Sequence, residues 1–258
     1  MQSIFLKAEE LRSERKQAAI CVVIETQGST PRKQGAKMIV FIDGSIYGSI
    51  GGGSVEKEVA EKAVELIKTG QPEKCQFSLE KDLGMHCGGY MEVYIEPISP
   101  SKKLIIFGAG HIGRALAKFA NEFDFSITLI DPREHIFDDT FFGQFTCVNK
   151  DYFQAIEDTS FDAHTYIIIV TPKHLFDEDI LAKVAKKTHA YIGMIGSTRK
   201  VDLLKKRFIE EKILSKEELE NIDMPVGIKF KAETPQEIAI SILAKLIDVR
   251  NTLNFRNS

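Results

Sequence analysis

The apolar run Leu104-Ile105-Ile106-Phe107 leads directly into Gly108-Ala109-Gly110-His111-Ile112-Gly113, and helical spacing takes over from His111 to Glu122. A strand that breaks into glycines and re-forms as a helix admits few folds. Gly108 allows the tight turn, Gly110 lets backbone approach a phosphate, and Gly113 permits close helix–strand packing. The exposed N–H groups and the dipole at the helix start favour an anion. Asp131 ends the next apolar run, 18 residues beyond Gly113, where a carboxylate can accept from a ribose 2′-hydroxyl. Further short runs at Ser126 to Ile130, Gln144 to Val148, Thr165 to Thr171 and Ala190 to Ile195 alternate with helical segments near Phe176 to Lys187 and Thr198 to Lys212. That alternation implies a parallel sheet covered on both faces, a Rossmann-like architecture.

Such a loop either binds a dinucleotide or persists for packing alone. Arg133 can pair with Asp131 or with a 2′-phosphate, so NAD and NADP are not separated. His111 at the helix start is either a phosphate donor or an ordinary helix-terminal histidine. Gly196-Ser197-Thr198-Arg199-Lys200 is a second strand-to-helix junction, with Ser197 and Arg199 beside free N–H groups. A capped helix with solvated charges explains it equally well. Near the C-terminus, Thr234-Pro235-Gln236-Glu237 supplies an N-cap, a first-turn proline and a capping-box acid for a long helix.

Pro97-Ile98-Ser99-Pro100-Ser101-Lys102 separates this half from a different one. We take residues 1–98 as an N-terminal α+β domain, 99–102 as a linker and 103–258 as the Rossmann-like domain with its C-terminal helix, an α/β protein throughout. The first half reads as a short amphipathic helix from Ile4, strands at Ala18 to Glu25 and Lys37 to Ile42, a turn at Asp43-Gly44, and a return strand from Ser45 to Ile50. A helix from Ser54 to Lys68 and strands at Lys74 to Leu79 and Tyr90 to Ile95 follow.

Three loops of this half carry candidate contacts. Gly28, Ser29, Thr30 and Arg32 lie in a polar loop with a rigid proline and cations, suited to an anion or simply solvated. Gly51-Gly52-Gly53 opens a helix whose first turn holds Glu56; three bare residues need special torsions or a close neighbour. Cys87-Gly88-Gly89 places a thiol in a glycine-rich bend. His86, adjacent in sequence, points to the opposite side of a strand and is a poor base for it. Residue chemistry alone leaves Cys87 open between a working thiol and a small buried side chain.

A net charge of −3 and a pI near 6.1 argue against a nucleic-acid partner. Apolar runs fall far short of the roughly 20 residues that span a membrane, and the N-terminus has no secretory apolar region. Four scattered cysteines without a CxxC pair suit a reducing cytoplasm.

Taken in order, GSTPR (28–32), GGGSVE (51–56), CGG (87–89), GAGHIG (108–113), YIGMIGSTRK (191–200) and AETPQEIAISILAKL (232–246) resemble the XdhC/CoxI family of xanthine dehydrogenase accessory factors. The resemblance implies an accessory factor that binds molybdenum cofactor, as molybdopterin or its dinucleotide, protects its sulfurated form and delivers it to a molybdenum hydroxylase, with a cysteine desulfurase as a further partner. It makes Cys87 the leading contact to metal or sulfur, with Gly28 to Arg32 and Gly51 to Gly53 as cofactor loops. Two departures weaken a site in the second half: Pro172 stands where the family often has histidine, and Lys229 and Lys231 replace an acidic residue and a glycine. The alternative is an NAD(P)-dependent oxidoreductase using the Gly108 loop. A homodimer is expected from the general frequency of two-fold assemblies.

Overall fold

The structure, a computed structural model, describes residues 3–14, 16–28, 30, 32–78, 89–98, 101–172 and 176–256. The chain divides into two compact units, one ending at Ser101 and one spanning Lys102–Arg256.

The first unit comprises α1 (Ile4–Ser13), β1 (Ala18–Gln27), β2 (Lys37–Phe41), β3 (Ile46–Ser49), α2 (Gly53–Thr69), β4 (Glu73–Ser78) and β5 (Tyr90–Pro97). The strands form one antiparallel sheet in the order β3-β2-β1-β5-β4. Alternation along β1 and β5 sends Ala19, Cys21, Val23, Met91, Val93 and Ile95 to one face. There they meet Val55, Val59, Ala63, Leu66 and Ile67, the stripe that helical spacing places on one side of α2. Each of the larger aliphatic side chains among them stabilises the unit by about 1.5–3 kcal/mol when fully buried. Leu11 of α1 packs with Ala18 and Ile39 in a separate cluster. Gly70 ends α2 in the left-handed region, its N–H donating to the Leu66 carbonyl at 2.8 Å.

Register fixes where the loops of this sheet lie. Lys37 pairs with Ser49, Gln27 with Tyr90, and Ser78 with Tyr90. The β1–β2 loop, the β3–α2 glycine turn and the two ends of the β4–β5 connection therefore all leave the sheet at the same end.

The second unit runs β6 (Lys102–Phe107), α3 (His111–Ala120), β7 (Phe125–Ile130), β8 (Thr146–Val148), α4 (Tyr152–Asp158), β9 (Thr165–Ile169), α5 (Asp177–Val184), β10 (Tyr191–Met194), α6 (Thr198–Glu210), α7 (Lys216–Glu220) and α8 (Pro235–Arg256). All strands are parallel, in the order β10-β9-β6-β7-β8. Connections turn one way from β6 and the other way to β9, so the crevice of a doubly wound sheet lies at the carboxyl ends of those two strands. Ile105, Phe107, Ile167 and Ile169 face α4, α5 and α6, whereas Leu104, Ile106 and Ile168 face α3 and α8. Burial on both sides explains why Tyr166 to Ile169 reads as a continuous apolar run.

Several boundaries differ from the sequence expectation. Gln144 closes a 3₁₀ turn (Thr140–Gln144), capped where Asp139 accepts from the Phe141 N–H at 2.8 Å, and does not open β8. Thr171 lies beyond the end of β9. Pro97 still pairs with Ala19 in β5, and Lys102 already pairs with Phe125 in β6. The short helices α4 and α7 escaped a search based on apolar spacing, since 7 and 5 residues give too few turns to show a period.

Candidate functional site

At the loop end of the first sheet, Gly28 continues from β1 with φ 77°, and Gly89 is buried just before β5. Thr30 Oγ1 donates to the Arg32 carbonyl at 3.1 Å, tightening the loop so that Arg32 and Lys33 stand exposed. Gln34 ties the far side of this loop to β1 through the Ile24 carbonyl at 2.6 Å. Ser29, Cys87 and Gly88 lie outside the described residues.

The glycine turn has a resident anion of its own. Gly51, Gly52 and Gly53 take φ of 147°, 78° and 68°, a left-handed sequence that a side-chain-bearing residue adopts only under strain. The turn brings the N–H groups of Ile50 and Gly51 onto Glu56 Oε1 at 2.9 and 3.1 Å, and the Ser49 hydroxyl onto the same oxygen at 2.8 Å. Burial works against ionisation of Glu56, but the bonds from Ser49 and from the Gly52, Ile50 and Gly51 N–H groups outweigh it. Its carboxyl is held below the usual glutamate range. The sequence placed Glu56 in the first turn of α2; only the backbone torsions show that it fills the turn. Beside it, a cleft of about 530 Å³ runs from Gly53 and Glu56 along α2 to Val64, with Ile42 and Ile46 opposite.

The second constellation lies at the carboxyl edge of the parallel sheet. Gly108 has φ 107°, and a Cβ there would lie 2.5 Å from the Val170 carbonyl oxygen. Gly113 is held closer still, with a Cβ position 1.9 Å from the Gly108 carbonyl oxygen. These contacts let α3 start tightly against β6, leaving Gly110 as its N-cap and His111 exposed in its first turn. Asp131 is fully buried at the end of β7. It accepts from the Ala109 N–H at 2.8 Å and from the Arg133 N–H, Nε and Nη2 at 3.1, 2.8 and 2.7 Å. Burial opposes its charge, and the Arg133 side chain with these N–H groups overcomes that, holding the carboxyl below its ordinary value.

Beyond β9, Asp177 is buried and accepts from the Thr171 N–H at 3.1 Å and hydroxyl at 2.5 Å, pinning that strand end to α5. Sequence reasoning missed Asp177; a helix-start acid six residues after a strand-end threonine was the available signal. Ser197 caps α6 by accepting from the Lys200 N–H at 3.4 Å, with Arg199 exposed beside it. Gly108, Gly110, His111, Gly113 and Asp131 thus come together at adjoining strands, while Ser197 and Arg199 sit on the same edge beyond β9. Among the described residues no group of three His, Cys, Asp or Glu side chains could hold a metal, and no helix is long and apolar enough to cross a membrane.

Residues 104–246 match the XdhC Rossmann domain, and residues 11–78 match the XdhC and CoxI family. The chain belongs to this family. It is 33% identical over 255 residues to the uncharacterized protein YqeB of Escherichia coli (strain K12), an alignment covering 96% of this chain and 46% of that protein. A probable xanthine dehydrogenase subunit of Bacillus subtilis (strain 168) is 28% identical over 159 residues, or 61% of this chain and 46% of that one. The chain thus spans about half the length of these two relatives. The molybdenum cofactor insertion chaperone PaoD of Escherichia coli (strain K12) is 23% identical over 302 residues, covering 96% of this chain and 88% of that protein. A crystal structure described as a xanthine dehydrogenase from Bacillus halodurans superposes with a TM-score of 0.53 at 21% identity, covering 97% of this chain and 96% of that one, and shares the fold.

Proposed function

We propose that this member of the XdhC and CoxI family is an accessory factor that binds molybdenum cofactor, protects its sulfurated form and delivers it to a xanthine dehydrogenase-type hydroxylase. The observation that carries this reading is the alignment with an insertion chaperone over 96% of this chain and 88% of that one. The convergence of three loops at one end of the first sheet supports it. In this reading the chain holds and hands over its guest and performs no turnover.

The donor set fits the cofactor with one restriction. The Ile50 and Gly51 N–H groups already serve Glu56, so these two donors shape the rim and are not open to a phosphate. Fixed positive charge comes from the exposed Arg32, with Gly28, Thr30 and Gly89 giving backbone and hydroxyl contacts at the same end. Cys87, two positions before Gly89 in sequence, is the soft contact to metal or sulfur. The bound group supplies a molybdenum–dithiolene centre for the client's hydroxylation chemistry. Sulfur supply by a cysteine desulfurase, a homodimeric assembly and a cytoplasmic site of action belong to the same reading.

The test is to incubate the purified chain with released molybdenum cofactor, quantify retained pterin by fluorescence after oxidation, and measure activation of an apo-hydroxylase. Retention and activation, both reduced in Cys87→Ala and Arg32→Ala, are expected. A chain that retains no pterin, or variants that deliver as well as wild type, would overturn the reading or its residue assignment respectively.

A further inference from the structure

We infer that the parallel-sheet unit binds a nucleotide bearing a ribose 2′-phosphate, the NADP class, and that Arg133 selects it over the unphosphorylated diol. This goes beyond the cofactor-handling reading and does not depend on it.

In a doubly wound sheet of this order, the glycine turn after the first strand faces a pyrophosphate, and the end of the second strand faces the adjoining ribose. An acid at that second position normally accepts from the 2′-hydroxyl. Here the acid is Asp131, and it is closed to a ligand: it is 0% exposed and its two oxygens receive four hydrogen bonds, from Ala109 and three groups of Arg133. A carboxylate offers about four lone-pair sites, so this one is saturated.

What faces outward at the ribose position is the guanidinium. Arg133 spends Nε and Nη2 on Asp131, its side chain remains 44% exposed, and Nη1 has no hydrogen-bond partner among the described residues. Its backbone is fixed as well. The Asn149 side-chain amide donates to the carbonyls of Asp131 at 2.8 Å and Arg133 at 2.9 Å. The guanidinium also borders the glycine cradle: a Cβ built on Gly110 would lie 3.7 Å from Nη2 and meet nothing else within 4 Å. The space above Gly110 is therefore bounded by a preoriented cation on one side and by the start of α3 on another.

A planar cation held in this way matches phosphate oxygens with charge-assisted hydrogen bonds. A neutral 2′-hydroxyl meets the same group with far less gain and finds no carboxylate. Buried Asp131 is thus a positioning residue, and Arg133 is the selecting one.

Isothermal titration of the purified chain with NADP⁺ and NAD⁺, at one fixed salt concentration, tests this. We expect NADP⁺ to bind at least about tenfold more tightly, the ratio that a hydrogen-bonded charged pair supplies. In Arg133→Ala the ratio falls to about twofold or less through loss of NADP⁺ affinity, and Arg133→Lys restores part of it. Raising the salt weakens NADP⁺ binding more than NAD⁺ binding. Arg133→Ala leaves a buried carboxylate short of partners, so its fold is checked by circular dichroism; the wild-type ratio stands alone as the primary test. Equal affinities, tighter NAD⁺ binding, or binding of neither dinucleotide overturns the inference. Pterin retention is assayed separately, so either result can fail without the other.

Discussion

Gly51 donates its N–H to Glu56 Oε1 at 3.1 Å, and that oxygen also receives the Ile50 N–H at 2.9 Å. The turn that leads into α2 therefore has its N–H groups satisfied from within the chain, by an acid five residues ahead of Gly51. Three successive glycines are explained by this closure, since the left-handed torsions at Gly52 and Gly53 are what turn the N–H groups inward.

Glu56→Ala should leave those N–H groups and the Ser49 hydroxyl without their acceptor and destabilise the first unit by about 1–3 kcal/mol. The Glu56 carboxyl is depressed in the folded state, so its contribution is present above the unfolded glutamate value, about pH 4.3. It is lost as pH falls through the lower folded value. Urea unfolding at pH 7 should separate wild type from variant, and the gap should shrink as pH drops below that point. A gap that stayed constant to low pH would show that the carboxylate is not what stabilises the turn.

Thiol reactivity separates the cysteines. Burial pushes the Cys21 thiol up to about 12. Burial also raises Cys75, helped by neighbouring Glu73, and raises Cys147, which sits 3.6 Å from the Phe142 carbonyl. Thiolate is the nucleophile, so all three are slow at pH 8. Brief iodoacetamide treatment of native protein followed by peptide mapping should find Cys87 labelled first and Cys21 labelled only after unfolding. Labelling of Cys75 or Cys147 ahead of Cys87 would count against a functional thiol at position 87.

Much of this architecture was legible because its signals are local. The LIIF–glycine–helix junction and the apolar stripe of α2 depend on neighbours a few residues apart, and both are found as read. Less legible were relationships that depend on where backbone groups point. Glu56 reads in sequence as a first-turn acid beside a dipole; that it caps the preceding turn follows only from three positive φ values. The spacing of Asp131 suits a ribose acceptor, yet Arg133, two residues on, folds back and saturates it. Pairing with Asp131 and meeting a 2′-phosphate were the two options for Arg133 in the sequence. The strand-end geometry shows the pairing through Nε and Nη2 and does not exclude the second, since the side chain stays 44% exposed. Asp177 went unnoticed because a helix-start acid reads as a complement to the dipole, and its bonds to the Thr171 N–H and hydroxyl depend on how the chain turns between β9 and α5.

Alkaline titration probes the second unit. Burial raises the Tyr191 phenol far above the ordinary tyrosine value, reinforced by its 2.5 Å hydrogen bond to Asp223 and by that carboxylate's charge. Burial likewise raises Tyr152, with Asp131 adding to the effect. A raised folded value means the stabilisation is complete below the unfolded pKa of about 10 and is lost as pH rises toward the folded one. Absorbance at 295 nm should show these two phenols ionising only together with unfolding, and Tyr191→Phe should reduce that step. Gradual ionisation of both in the folded state would contradict the burial described.

Gly113→Ala gives the sharpest structural test of the glycine cradle. A Cβ there would fall 1.9 Å from the Gly108 carbonyl oxygen and 3.0 Å from its carbonyl carbon, both rigid backbone. Neither can rotate aside, so α3 must move away from β6 and disturb the packing of Leu116 and Ala117 against Leu104 and Ile106. Overpacking costs about 1–3 kcal/mol and occasionally more; against rigid backbone we expect the upper end of that range and a clear drop in the unfolding midpoint of the second unit. Gly110→Ala is the matched control, because its Cβ meets only the Arg133 guanidinium at an ordinary 3.7 Å. It should unfold within about 1 kcal/mol of wild type, a Gly-to-Ala change at a helix N-cap being worth little more than that. Equal stability of the two variants would mean that α3 is not held against the glycine turn as the structure describes.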